Sequence, residues 1–533
     1  MDHQWLRVCA APCGRQAVSD EIESVETGKL LARVLLCRSR QVKNGPNESF
    51  FPVVEVGMIP VTRFYRGVLA LVLSAIVLVI VLSPLPRKSV AVSSEGMKDK
   101  PATSIANAKL QGLVGTSSCS SRGCHGALDS TGAQDKCGQN EYLQWTRDPH
   151  ADAYRVLFDA RSVKIAEHLN GPKGPKAHED ARCLACHATP QAAELPKENP
   201  LHHEEKQFGV GCESCHGSAE KWIVSHTSLT WHKVDPEEKW KTYGMVDVTN
   251  LSKRAEQCAG CHVGAPRRDG MPLRNMNHDM IAAGHPRLLF EFGTFQANMP
   301  PHWRDNKVNQ EAYLWTVGQF ATAEASLKLL EARVDSGPWP EFAEYDCFAC
   351  HHGLTASSWR QSEIPRGRKP GALPWGSWSF ALMRQLEKQM QVPSSLKQEL
   401  DSLESSMQKP IPDRKVVAKG VQKTLEQLRR VTGQLDRKRW DEAKSRKLIQ
   451  AVTGKGSPVH HPSWDSAEQL YLALYALNES EYDKRVRDLL DELTPLRAFR
   501  PGFDSPLSIA LPNGKEKAFH PAQFLEKLKA NRN

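Results

Sequence analysis

No charge of one sign dominates this chain: 70 Lys and Arg stand against 61 Asp and Glu in 533 residues, a formal net charge of +9. That surplus is too mild for the length to be the electrostatic footprint of a nucleic-acid binder. The chain also has no recognisable nucleophile triad, nucleotide-binding loop or paired-carboxylate motif, so the chemistries those motifs announce find no support. Cysteine is absent from residues 356–533. Long apolar runs are absent too, with one exception, Gly67–Ser83. After that run there is no convincing A-x-A cleavage site and no cysteine close enough to be lipidated. The first 57 residues show neither an export signal nor a clear periodicity.

Cysteine is concentrated between residues 119 and 350. Of 14 cysteines, ten fall in five motifs, and Cys9, Cys13, Cys37 and Cys137 lie outside them. The pattern C-x-x-C-H occurs at Cys183-Leu-Ala-Cys186-His187, Cys212-Glu-Ser-Cys215-His216, Cys258-Ala-Gly-Cys261-His262 and Cys347-Phe-Ala-Cys350-His351. A wider form, with four intervening residues, runs from Cys119 to Cys124 and His125. The reading is covalent attachment of haem c at all five. Two thiols add to the vinyl groups of one porphyrin, and the adjacent His supplies a nitrogen to its iron. Two intervening residues let one turn of chain present both sulfurs to one porphyrin edge. Disulfides or zinc are the alternatives, and neither needs His beside the second Cys. With 20 His in the chain, four chance placements there have odds of roughly two in a million. Haem propionates would also offset the basic surplus.

The length allows two or three domains with ample core. Residues 1–57 are unassigned, and one reading makes them an extension upstream of a functional start at Met58; a genuine N-terminal tail is the alternative. Residues 58–86 read as a signal-like segment, taken as an uncleaved transmembrane anchor, with a cleaved signal as the alternative. Arg63 and Arg66 precede the apolar run and Arg87 and Lys88 follow it, so charge does not orient it. Residues 87–112 read as a polar tether. Residues 113–355 form the haem domain, and 356–533 a helical C-terminal region. The expected fold class is mainly α with sparse secondary structure, organised around haems that supply the apolar bulk.

Helices are expected over Glu141–Asp159 and Asn309–Val334, the latter from the spacing of Leu314, Val317, Phe320, Ala323, Leu327 and Leu330. Val421, Leu425, Leu428, Val431 and Leu435 form a further stripe, and Asp465 is a candidate cap for a helix through Leu470, Leu474 and Leu477. Pro512-Asn513-Gly514 reads as a turn. The Lys/Arg run around Arg429–Lys447 reads as a solvated helix face, with docking of an acidic redox partner as the sharper alternative.

The ligand opposite each motif His decides what its iron does: a second His closes the iron for electron transfer, and a missing ligand leaves it open to a small molecule. Candidates are His150, His168, His178, His202, His203, His226, His232, His278, His285, His302 and His352, with Met245 weaker. His278 and His285 are seven residues apart, which would place them on one helical face. His352 follows His351 and so would serve a neighbouring haem.

Val114-Gly115-Thr116-Ser117-Ser118-Cys119, His125 and Trp145-Thr146-Arg147-Asp148-Pro149-His150-Ala151 resemble the opening of the tetrahaem cytochrome c-554 type. Gly209–Gly217 followed by His226 resembles that family's third haem segment, with Cys183–His187 and Cys258–His262 in the order of its second and fourth. The resemblance covers roughly residues 113–265 and implies a larger pentahaem relative, since Cys347–His351 is added and the first motif is wider. It implies a periplasmic electron carrier with stacked haem pairs, His150 and His226 as distal ligands, and an open iron at Cys183/Cys186/His187, which His178 or His202 could close. Attachment of haem outside the cytoplasm, as in c-type cytochromes, implies that residues after about 86 lie on the periplasmic side of the inner membrane, anchored or, alternatively, soluble.

The resulting reading is a carrier of electrons through about five covalent haems between a redox protein donor and acceptor, membrane-attached through the N-terminal helix and binding no nucleic acid. Alternatives are a haem enzyme acting on a small nitrogen or sulfur species, and a haem subunit of a respiratory complex. Denatured protein is expected to carry five haem masses. Cys215→Ser is expected to carry four and to lose stability, because attachment is coupled to folding; mass spectrometry and thermal melting read both.

Overall fold

The computed structural model describes residues 35–40, 53–58, 112–126, 140–268, 271–300, 311–351, 373–390, 392, 394–435, 440, 442–454, 463–478, 484–493 and 521–530. The expected anchor and tether, the turn at Pro512, and His302 and His352 lie outside them, apart from Met58 and Gly112. The chain divides into two compact units. In the first, Leu35–Arg40 and Val53–Met58 pair antiparallel, Leu35 opposite Met58 and Arg40 opposite Val53. The valines at 53, 54 and 56 suit a pleated ribbon. The sequence leaves residues 1–57 unassigned because they show no clear periodicity. Among the described residues no helix is long and apolar enough to cross a membrane.

The second unit is helical, as expected. Its earlier part, through residue 250, is a string of short helices and 3₁₀ turns. Two small apolar clusters serve it, one of Leu157, Ala166, Ala177, Cys183, Leu184 and Ala188, the other of Ala219, Trp222 and Trp231. The expected helix over Glu141–Asp159 is not continuous. Glu141–Trp145 is helical, and 3₁₀ turns follow at Pro149–Asp152 and Arg155–Phe158. Pro149 is the cause: it cannot donate into a helix and forces Asp148 into an extended conformation. Asp148 then caps the next turn by accepting from the His150 amide.

From Leu251 onward one continuous apolar core runs through the helix of the fourth motif, Tyr345 just ahead of the last motif, and the C-terminal helices. Its axis is the helix Glu311–Asp335, which matches the expected Asn309–Val334. Trp315, Val317, Phe320, Ala323, Leu327 and Leu330 are buried on it. The helices Leu251–His262, Phe292–Ala297, Met383–Met390, Arg414–Thr432 and Trp464–Leu477 all pack against this axis. Gly318 permits one of these approaches, since a Cβ there would stand 2.5 Å from the Phe292 Cβ. Gln319 Nε2 donates to Gln469 Oε1 at 2.9 Å in the buried seam with Trp464–Leu477.

The stripe at Val421, Leu425, Leu428 and Val431 is buried within Arg414–Thr432, and Leu435 lies just past its end. Arg429 pairs with Glu324 and Arg430 with Glu426, as a solvated helix face would. Asp465 is not the cap of its helix. Ser463 caps Trp464–Leu477 by accepting from the Ser466 amide, and Asp465 is fully buried against Arg287. A spacing argument found the helix start within two residues and could not see that the carboxylate had a distant partner.

Leu428→Ala is expected to lower the unfolding free energy by about 2–5 kcal/mol, against about 0.5 kcal/mol or less for the exposed Lys419→Ala. Guanidinium titration followed by circular dichroism reads the difference.

Candidate functional site

The second and fourth motifs sit at the ends of helices whose first turns are tied down by side chains. Ala181–His187 is capped by Asp180, which accepts from the Arg182 amide at 2.9 Å and from Asn170 Nδ2. Leu251–His262 is capped by Asn250, and Cys212–His216 forms a single turn. His351 donates its amide to Cys347 O at 2.8 Å. In the wide first motif, Cys124 and Gly126 both donate to Ser121 O, so the two extra residues make a tight turn that returns His125 beside the second sulfur.

The chain brings these motifs together out of sequence order. The Cys119 and Cys212 sulfurs lie close together, as do those of Cys186 and Cys261. Cys215 and Cys258 are close enough to interact electrostatically. The first motif therefore adjoins the third, the third the fourth, and the fourth the second. Burial pushes the Cys215 thiol up to about 12. Cys261 is held down at about 6 by the Cys186 thiol and, against burial, by the Arg274 guanidinium. Two buried carboxylates brace the first and third motifs. Glu213 accepts from the amides of Val114, Gly115 and Ala219, and Glu205 from the amide and hydroxyl of Thr116.

Among the described residues, the motif histidines His125, His187, His262 and His351 each face a histidine from elsewhere. Ring centres are 6.3 Å apart for His125 and His226, 5.9 Å for His150 and His262, 6.3 Å for His187 and His285, and 6.3 Å for His278 and His351. A metal–imidazole bond is about 2 Å, and the nitrogen lies about 1.1 Å from its ring centre, so two imidazoles on opposite sides of one metal have centres about 6.3 Å apart. The observed spacings match. The ring planes are near parallel in the first and last pairs, at 10° and 22°, and near perpendicular in the other two, at 82° and 74°.

The far nitrogens are anchored. His125 Nδ1 meets Glu141 Oε2 at 3.1 Å, His150 Nδ1 donates to Asp148 Oδ1 at 2.8 Å and His187 Nδ1 to Ala153 O at 2.9 Å. His226 Nδ1 donates to Ile223 O at 2.6 Å and His285 Nδ1 to Pro286 O at 2.8 Å. That leaves Nε2 of each facing the gap, the arrangement that fixes a ligand's tautomer. Burial lowers the pKa of His262 and of His285 to about 4, so both are neutral ligands near pH 7. Burial also acts to lower His150, but Asp148 outweighs it and leaves the group raised.

These residues fit haem c. Two sulfurs, one adjacent imidazole and a second imidazole across a one-metal gap are the donor set such a group uses. Among the described residues no three His, Cys, Asp or Glu side chains converge on a point, whereas a structural zinc takes four. Trp222 Nε1, Ser214 Oγ and Arg274 Nε are buried without acceptors or donors beside the motifs, as they would be next to a polar-edged group. His278 and His285 do not share a helix face. The helix His278–Ala282 is five residues long and ends at Gly284, whose φ of 117° is open to glycine and costly for other residues. The resemblance implied an open iron at His187; here His285 stands opposite it.

The other candidates have other neighbours. His178 stacks on Phe158 at 4.3 Å, His168 Nδ1 donates to Ala283 O, His202 lies 3.1 Å from Lys206 Nζ, and Met245 packs beside Trp222 and Trp231. The residues that sequence reasoning missed are the braces Glu205, Glu213, Arg287 and Asp465. No local pattern marks them, because each acts on a segment far away in the chain.

Residues 133–217 match the family model described as cytochrome c554 and c-prime. The match contains the second and third motifs and His150, and is narrower than the 113–265 resemblance. It supports a c-type cytochrome with covalent haem, acting in electron transfer. No curated protein and no solved structure matched the chain.

Asp180 yields a pH test. Burial would raise its pKa, but Arg182 and Asn170 hold it below the ordinary value. Its contribution to stability is therefore present above the unfolded carboxylate pKa of about 4 and is lost as pH falls through the lower folded value. Asp180→Asn is expected to cost about 1 kcal/mol at pH 7, and urea titrations should show the gap to wild type closing below about pH 4.

Proposed function

We propose that the protein is a pentahaem c-type cytochrome that carries single electrons between a donor and an acceptor protein. Further, we assign it to the periplasmic side of the inner membrane, held there by an N-terminal anchor at residues 58–86. The observation that carries the reading is the set of four imidazole pairs spaced for one iron each. When bound, each haem supplies a one-electron iron couple. The chain's own part is to hold both axial nitrogens in place in either oxidation state, so that little reorganisation accompanies transfer.

The contacts between motifs support an order for the relay. Cys119 adjoins Cys212, Cys215 adjoins Cys258, and Cys261 adjoins Cys186. The segment carrying His285, which faces the second motif, also carries His278, which faces the last. Read along these neighbours, the order is first, third, fourth, second and fifth motif. A pair of His ligands at the second motif also speaks for transfer over catalysis there. The six-coordinate reading of the four paired sites does not require any of the remaining histidines.

The test is spectroscopic. The haems at the four paired sites are expected to be low-spin in the purified protein. His226→Ala is expected to convert the haem of the first motif to high-spin and to create one new carbon monoxide site per molecule. A native protein in which the paired sites are already high-spin and bind carbon monoxide would overturn the reading.

A further inference from the structure

The segment Asn275–Phe292 supplies both histidines that face the second and fifth motifs, and it is held at each end by residues that carry no haem. At its front, Arg333 donates to Asn275 Oδ1 at 3.1 Å and to Met276 O at 3.0 Å. Arg333 also pairs with Glu344, whose other oxygen accepts from Trp375 Nε1 at 3.1 Å. The His278 amide donates to Glu341 Oε1 at 2.8 Å. At its rear, Arg287 forms a two-point ion pair with Asp465, at 2.7 and 2.9 Å, and Ser377 Oγ donates to the same carboxylate. Trp378 Nε1 donates to Phe290 O at 3.2 Å, and Phe290 stacks on His262 at 5.4 Å. Trp375, Ser377, Trp378 and Asp465 all lie beyond the last motif.

The rear clamp bears directly on a ligand. His285 Nδ1 donates to Pro286 O, and that carbonyl belongs to the peptide that begins Arg287. Pro286 stiffens the link. Whatever fixes the Arg287 guanidinium therefore fixes the carbonyl that aims the His285 ring. Arg287 is 13% exposed and Asp465 is 0% exposed, so the pair is out of water. Removing one partner would leave a buried charge that must move to find solvent or another acceptor.

Resting on the two-histidine reading of the second haem, we infer that the C-terminal helical region is a clamp for axial ligands. Asp465, acting through Arg287, is a positioning residue that keeps His285 on the second iron. The region is thus a working part of the haem assembly. It decides whether the second iron is closed.

The experiment is Asp465→Asn in the full chain with its haems attached, compared with wild type, Asp465→Glu and His285→Ala. Haem number is read by denatured mass, spin state by electron paramagnetic resonance, and open sites by carbon monoxide binding. Asp465→Asn is expected to keep its haem number and to raise the high-spin fraction at the second haem by about tenfold or more over wild type. Its spectrum should match His285→Ala, and Asp465→Glu should return most of the low-spin signal. An Asp465→Asn protein with all haems attached and wild-type spin state overturns the inference, as does opening of a different haem. If Asp465→Asn does not accumulate, Ser377→Ala removes only one bond to the carboxylate. It is expected to open the second haem in part, and wild-type spectra from it would overturn the inference. A wild-type protein whose second haem is already high-spin would instead refute the two-histidine reading itself.

Discussion

Two imidazoles from distant segments held with their ring centres about 6 Å apart, the spacing that one metal between them sets, are the constraint on which the rest of the structure depends. Each ring needs support on its far side to keep that spacing. Four such pairs stand among the described residues, and in each the two rings come from segments distant in sequence. Much of the surrounding structure is explained by this requirement. Backbone carbonyls and carboxylates take the Nδ1 protons, helix caps fix the motif turns, and buried Glu205 and Glu213 tie the N-terminal strand of the domain to the first and third motifs.

The same requirement accounts for the division of labour within the chain. Through residue 250 the protein is thinly built, with two small apolar clusters and short helical pieces. It can be so because haems would fill the space that side chains leave. The last two motifs have a different support. They lean on the helix Glu311–Asp335 and on a core that continues through the C-terminal helices. A dense apolar body provides a rigid backing, and from it Asp465, Trp375 and Trp378 reach back to a ligand-bearing segment. The C-terminal helices share one hydrophobic core with the helix of the fourth motif and with Tyr345, two residues ahead of the last motif.

Charged groups of both signs stand close to the motifs. Buried carboxylates brace the first and third, Arg274 stands against Cys261, Arg254 lies on the helix of the fourth motif, and Arg287 is near Cys347. Burial acts to lower the Arg287 pKa and Asp465 more than reverses it. Charges placed this close to attachment sulfurs in a poorly screened interior act strongly on whatever charge the iron carries.

The motifs were legible in the sequence because covalent attachment is local chemistry: two sulfurs and a histidine must lie within one turn of chain, so their spacing is written in consecutive residues. The helices at Glu311–Asp335 and Arg414–Thr432 were legible for a like reason, since burial along one face repeats at the helical period. The expected helix Glu141–Asp159 ran through Pro149, whose missing donor and hold on the residue before it break the helix there. What the tertiary structure alone decided is which histidine faces which. Pairing His187 with His285 and His351 with His278 brings together residues tens of positions apart, and the eleven candidate histidines look alike in one dimension. Asp465 makes the same point: in sequence it is a helix-start residue, and only folding sets it opposite Arg287. Attachment depends on neighbours in the chain, whereas ligation and its support depend on neighbours in space.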